Sequence, residues 1–323
     1  MTHRLAQFLI FITFVLLFMG GLVTSTDSGL AVPDWPLSFG GLFPPMIGGI
    51  RFEHSHRLVA STVGFITLIL TIWVGRTEKR APVRWLAIAA LGAVVMQGIL
   101  GGMTVLFRLP APISVAHACL GPIFFCLVVS LAEVTSPARH CEEPATRSMV
   151  GDAGRSSAGW ALGHPAPCGW HGEAISDFRL RWPLSGHRLA MTTVLSIFLQ
   201  ILLGAIVRHT GDFVWLHVCW ALLVFFLVGF LVTRILNGAL DEKRLIRPAL
   251  LLGFLVTAEF FLGIGAFVFT QIKGVQPGAV GILFPTIHQT LGALILATSI
   301  ILTIRMRAMS PCPASVETAP NSQ

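Results

Sequence analysis

The feature that most restricts this chain is a set of eight apolar stretches, each long enough to cross a bilayer. A helix rises 1.5 Å per residue, so about 20 apolar residues span the hydrocarbon core. The stretches at residues 7–26, 56–75, 84–106, 112–134, 187–207, 213–236, 248–270 and 281–304 qualify. In lipid, backbone N–H and C=O groups must pair within their own segment, which makes each stretch a helix. The composition agrees: 54% of residues are hydrophobic and 11% charged, against about 25% charged in soluble domains. This excludes a cytosolic globular enzyme and a disordered or nucleic-acid-binding chain, despite a formal charge of +7. The expected fold is all-α and integral to the membrane.

The first stretch follows Arg4 and resembles a secretory signal. Its apolar run is longer than a signal core and no A-x-A-like site follows before Asp27, so it is expected to be retained as a helix. With the N-terminus inside, the outer loops and outer helix ends receive only Arg51, Arg57, Arg108, Arg208 and Lys273 of the 22 basic residues. The positive-inside rule therefore gives an even number of spans and places both termini in the cytoplasm. The expected location is the inner (cytoplasmic) membrane. None of the six cysteines (Cys119, Cys126, Cys141, Cys168, Cys219 and Cys312) falls in an outer loop, so no structural disulfide is expected.

Residues 135–186 are rich in Pro, Gly, Ser and Ala, carry charge, and hold no lasting apolar period. They read as a cytoplasmic linker. His140, His164, His171 and Cys168 within it fit no metal-finger spacing. The linker separates residues 1–134 from 187–307, four spans each, followed by a tail at 308–323. The halves repeat their marks: GGLVTSTDSG against GAIVRHTG, Gln97-x-x-x-Gly101 against Glu259-x-x-x-Gly263, and PISVAHACLG against PTIHQTLG. Two pseudo-repeated four-helix bundles are expected, with sites within or between them.

Four histidines recur in these spans: His56, His117, His217 and His288, on the second, fourth, sixth and eighth. Each lies within two turns of the outer end; His117, five residues past Pro112, is about 8 Å in. Polar side chains in spans face a cavity or a partner. Imidazole ligates metals, and a facing pair can clamp haem iron from both sides. The plainer reading is histidines bonding carbonyls within a bundle, but two per half at matched depth favours haem. Nearby Ala116, Ala118, Gly121 and Gly292 leave room for a flat macrocycle, and close helix packing needs the same residues.

The halves are unequal. Glu53 precedes His56 by three residues and shares its face if the helix starts early enough, whereas Val214 stands in that place before His217. Glu53 either takes part in chemistry confined to the first half, or caps its helix and pairs with Arg57. Arg57 and Arg208, at outer helix ends, either meet haem propionates or anchor their helices. Asp34 and Trp35 in the first outer loop either cover the first site or belong to the interfacial belt. His54 and His209 break the one-histidine-per-helix pattern.

These residues resemble the haem A synthases, which include the mitochondrial cytochrome oxidase assembly relatives. The marks are TSTDSGLAVPDWPLSFG (24–40), EHSHRLVAS (53–61), QGILGGMTVLFRLPAPISVAHACLG (97–121), LQILLGAIVRHTG (199–211) and TIHQTLGALIL (286–296). The resemblance implies a membrane oxidoreductase that converts the C8 methyl of haem O to the formyl group of haem A. Successive hydroxylations would give a gem-diol that loses water. It implies haem b as cofactor at His217 and His288, substrate haem at His56 and His117, and a functional glutamate at Glu53. Expected partners are haem O, membrane lipid, an electron donor and a haem O synthase, with no nucleic acid. Many bacterial members carry two cysteines around the PDWPL motif, where this chain has Val32 and Ser38. Glu259 also stands where a glutamine like Gln97 or Gln200 is expected.

The alternative is a di-haem b-type cytochrome confined to electron transfer, which the same four histidines would serve. A transporter or haem chaperone is the third class. Against it, Pro112, Pro122, Pro248 and Pro285 are expected near helix ends, leaving no broken midplane helices.

Overall fold

The computed structural model describes residues 1–136, 173–238, 242–271 and 278–308. Most of the linker, the tail after residue 308, Lys273, Cys141, Cys168, Cys312, His140, His164 and His171 lie outside the described residues. The described chain is helical: α1 Thr2–Ser25, α2 Ile50–Thr77, α3 Ala81–Leu106, α4 Ala111–Val134, α5 Glu173–Thr210, α6 Val214–Gly238, α7 Lys243–Gln271 and α8 Ala279–Ala308. Each includes a window long and apolar enough to cross a membrane. Several helices outrun the apolar stretches, as α1 does from Thr2 and α2 from Ile50, by adding charged and polar residues. α5 reaches back to Glu173, so the end of the segment read as linker is helical.

Helix ends follow local chemistry. Pro82 and Pro112 sit in the first turns of α3 and α4, where an N–H has no helical partner to lose. α5 stops at Gly211, whose φ of +79° suits a residue without Cβ and whose N–H bonds Val207 O at 2.9 Å. Pro122 departs from expectation: it lies in the middle of α4, where its ring removes the bond to the Ala118 carbonyl.

Packing closes two rings. α1, α2, α3 and α4 touch in sequence and α4 returns to α1; α5, α6, α7 and α8 do the same. The rings join through α1–α8, α4–α8 and α4–α5 contacts. α4 and α8 are accordingly the interior helices, with 56% and 50% of their apolar windows buried against 17–28% in the others. One core, around Phe125, Leu231, Ile235 and Leu302, crosses between rings; a second, around Leu9, Leu70 and Leu131, stays in the first.

Small residues let the seam close. A Cβ on Gly21 of α1 would lie 3.1 Å from Thr286 Cγ2 on α8. Ser25 Oγ accepts from both Arg208 Nη2 and Thr286 Oγ1 at 2.9 Å, tying α1 to α5 and α8. At the opposite end, Arg305 of α8 grips Glu133 of α4 bidentately, Nε to Oε1 at 2.9 Å and Nη2 to Oε2 at 3.1 Å. Fork-to-fork geometry makes this stronger than a chance surface pair, although Arg305 keeps 31% of its side chain exposed. Glu133→Gln is expected to cost on the order of 1 kcal/mol of stability, less in high salt. A thermal-unfolding midpoint in detergent unmoved by the substitution would remove the pair from the seam.

Candidate functional site

The four span histidines sit one to a helix on α2, α4, α6 and α8, and each lies against a glycine of the preceding helix. A Cβ built on Gly20 would stand 3.2 Å from His56 Cε1, on Gly101 3.1 Å from His117 Cε1, on Gly204 3.0 Å from His217 Cε1, and on Gly263 3.1 Å from His288 Cε1. Any side chain there would crowd the ring. The glycines set how deep each imidazole lies between its two helices.

One turn before three of these glycines stands a polar side chain. Gln97 Nε2 donates to His117 O at 2.9 Å and Gln200 Nε2 to His217 O at 3.1 Å. Gln200 Nε2 is also 3.3 Å from His217 Nε2. Glu259 Oε1 lies 3.2 Å from His288 Nδ1, at ion-pair distance but without hydrogen-bond alignment. The counterpart on α1 is Leu16. Nδ1 of all four histidines is buried without a hydrogen bond. Each ring also lies beside the main chain of the residue four before its glycine: Leu16, Gln97, Gln200 and Glu259.

In the second ring of helices, His217 and His288 face a cavity of about 660 Å³ that Gln200, Glu259, Arg208 and His209 also line. Their ring centres are 6.3 Å apart with planes at 89°. Metal-to-imidazole bonds of about 2.0 Å on either side leave room for one ion between rings at this separation. The separation therefore suits a shared iron, and the cavity falls in the range of small-molecule and cofactor sites. Ala118 and Pro122 of α4 form part of its wall, next to His117 of the other ring. Arg208 lines the same cavity while holding Ser25. His56 and His117 lie on α2 and α4 of the first ring, within electrostatic reach of each other.

The first ring carries a different arrangement around Glu53. α2 begins at Ile50, so Glu53 lies in its first turn on the face of His56. Glu53 is 3% exposed. Its Oε2 accepts the Val32 N–H at 2.8 Å and its Oε1 pairs with Arg57 Nη2 at 2.5 Å. Arg57 in turn donates Nη1 to Asp34 O and Leu37 O, at 2.7 and 2.9 Å, and Nη2 to Val32 O at 3.0 Å. Both terminal nitrogens of Arg57 thus hold the outer loop. Ser38 Oγ and His54 Nδ1, 2.9 Å apart, add a second tie. Asp34 closes the loop on itself, accepting from Phe39 N and Gly40 N at 2.7 and 2.8 Å. Those two N–H groups hold its carboxyl below the ordinary range. With its pKa lowered, this turn is intact above the ordinary carboxylate range and is lost only as pH falls through the folded value.

Trp35 rests on α3. A Cβ on Gly102 would come within 2.7 Å of the indole, so Trp35 covers the helix one residue from Gly101, the glycine behind His117. Val32 and Ser38 serve here as a buried N–H donor and a histidine partner. His54 and His209 lie outside the one-histidine-per-helix pattern; the first holds the loop and the second lines the second cavity. The glycines are visible in the sequence as repeat marks. Their spacing, four residues after Gln97, Gln200 and Glu259, is the signal of their role.

Residues 50–161 match the COX15-CtaA family, described as cytochrome oxidase assembly protein. A heme A synthase of Halalkalibacterium halodurans is 30% identical over 235 residues, covering 65% of this chain and 78% of the relative. Those of Shouchella clausii and Alkalihalophilus pseudofirmus are each 36% identical over shorter spans, and the chain covers 41% and 40% of their lengths.

The loop clasp makes a direct expectation. Val32→Cys, at a buried position, should resist a membrane-impermeant thiol reagent, and adding Arg57→Ala should speed its labelling roughly tenfold or more. That factor equals about 1.4 kcal/mol, the lower end of a charged hydrogen bond's contribution. Equal labelling rates would show that Arg57 does not hold the loop.

Proposed function

Because this chain belongs to the heme A synthase family of cytochrome oxidase assembly proteins, we propose that it oxidises the C8 methyl of haem O to the formyl group of haem A. Each of two hydroxylations turns a C–H of the methyl into C–OH with dioxygen as oxidant, two electrons from the donor and two protons, the second oxygen atom leaving as water; the resulting gem-diol loses a further water to leave the aldehyde. The observation that carries this reading is the inequality of two otherwise similar histidine pairs. Among the described residues, only the first has a buried carboxylate on its own helix face and an outer loop fastened to that carboxylate and its arginine.

In this reading His217 and His288 hold haem b as cofactor, with Arg208 in the cavity wall as a cation for a propionate. Haem b supplies one-electron redox chemistry when bound. His56 and His117 hold the substrate haem. Glu53 is the catalytic carboxylate, a fixed negative charge positioned by Arg57 and the Val32 N–H to stabilise positive charge developing at the oxidised carbon. Arg57 acts on the substrate site through the loop it holds, with Trp35 over α3 shielding that side from water. α4 carries His117 and also walls the second cavity, so the two sites are one helix apart. The protein works in the inner (cytoplasmic) membrane with both termini cytoplasmic, taking haem O from a haem O synthase and electrons from a separate donor.

Expression with a haem O synthase and a competent electron donor, in a host lacking haem A, tests the reading. Extracts should contain haem A; Glu53→Ala should abolish it while bound haem b stays at the parental level. Haem b with unchanged haem O in the parent protein would favour the electron-carrying cytochrome. Full haem A production by Glu53→Ala would remove Glu53 from the chemistry.

The glycine cradles give an independent expectation. Gly204→Val places carbon against the His217 ring and should lower bound haem b several-fold, as loss of an outer-shell partner does. Parental haem content in that variant would show that ring position at His217 does not matter for binding.

A further inference from the structure

Helix α7 departs from α3 and α5 at one position. Four residues before the glycine that backs its histidine, α3 has Gln97 and α5 has Gln200, whereas α7 has Glu259. The two amides direct their N–H₂ groups to the main chain, Gln97 to His117 O and Gln200 to His217 O. A carboxylate has no hydrogen to give, and Glu259 turns to the ring itself, with Oε1 3.2 Å from His288 Nδ1. Its other oxygen is buried without a partner. Room for this comes from Gly292, one turn past His288, where a Cβ would stand 3.4 Å from Oε1.

Resting on the haem b assignment to His217 and His288, we infer that Glu259 is a positioning residue for His288. It accepts the Nδ1–H, which leaves Nε2 as the nitrogen presented to iron and fixes the plane of the ring. A carboxylate behind a ligating imidazole also makes that nitrogen a stronger donor. Stronger donation favours the oxidised iron, so Glu259 holds the haem at a lower potential than glutamine would. The separation is a few tenths of an ångström longer than a charge-assisted hydrogen bond, and alignment is missing. Ligation through Nε2 restrains the ring from its far side and brings the N–H into line. His217 lacks such a neighbour, since Gln200 offers it an amide. The two faces of one haem are thereby made unequal.

Reductive titration of the purified protein, followed by haem absorbance, decides this. The parent, His217→Ala, Glu259→Gln and Glu259→Asp are compared. Haem in the parent that is lost in His217→Ala marks the site. With haem retained, Glu259→Gln should raise the midpoint potential, giving a roughly tenfold higher ratio of reduced to oxidised haem at the parent's midpoint. Glu259→Asp, which keeps the charge, should stay closer to the parent. An unchanged potential in Glu259→Gln overturns the inference and leaves the haem site standing. If Glu259→Gln binds no haem, recovery of haem in Glu259→Asp supports the role. Helical but haem-free protein in both variants reduces Glu259 to packing and overturns it. Haem that persists undiminished in His217→Ala overturns the site, and the inference with it.

Discussion

The rest of this structure depends on the contact between an imidazole ring and a bare backbone. Each span histidine is pressed against a glycine of the preceding helix, closely enough that a Cβ would stand 3.0–3.2 Å from Cε1. In lipid a polar ring has no water to turn to, so its position must come from neighbouring helices. Glycine is the residue that lets two helices approach until the ring is fixed between them. The depth of the rings, the 6.3 Å separation of His217 and His288, and the cavity they face all follow from those contacts.

On that common frame the two halves acquire different surroundings. In the first, Glu53 and Arg57 gather the outer loop by its backbone at Val32, Asp34 and Leu37, and Trp35 comes to rest on Gly102. In the second, the same depth opens into a cavity with a carboxylate behind one ring and an amide beside the other. Interior helices α4 and α8 are shared walls, with the Arg305–Glu133 pair joining them away from the histidine layer.

The eight spans are legible in the sequence because the bilayer dictates their apolar length. The histidine pairs are legible because four imidazoles at matched depth are costly in lipid unless they have something to bind. What stays hidden depends on distant contacts. Local spacing leaves Glu53 either catalytic or paired with Arg57; the pairing exists, and no spacing could show that Val32 supplies a second bond. The partner of Glu259 is beyond reach because α7 and α8 meet only in the folded bundle. Pro122 is expected near a helix end, and it sits mid-helix in the cavity wall, where the neighbouring helices and not local sequence fix its place. The start of α5 at Glu173 is obscured by a composition without apolar period.

Whether His217 and His288 clamp one iron from both sides is decided most directly by electron paramagnetic resonance of the oxidised, purified protein. A low-spin signal of bis-imidazole haem is predicted, with the near-perpendicular ring planes seen here, and its loss in His217→Ala and in His288→Ala alike. A low-spin signal of the same shape and intensity in either variant would contradict the clamp.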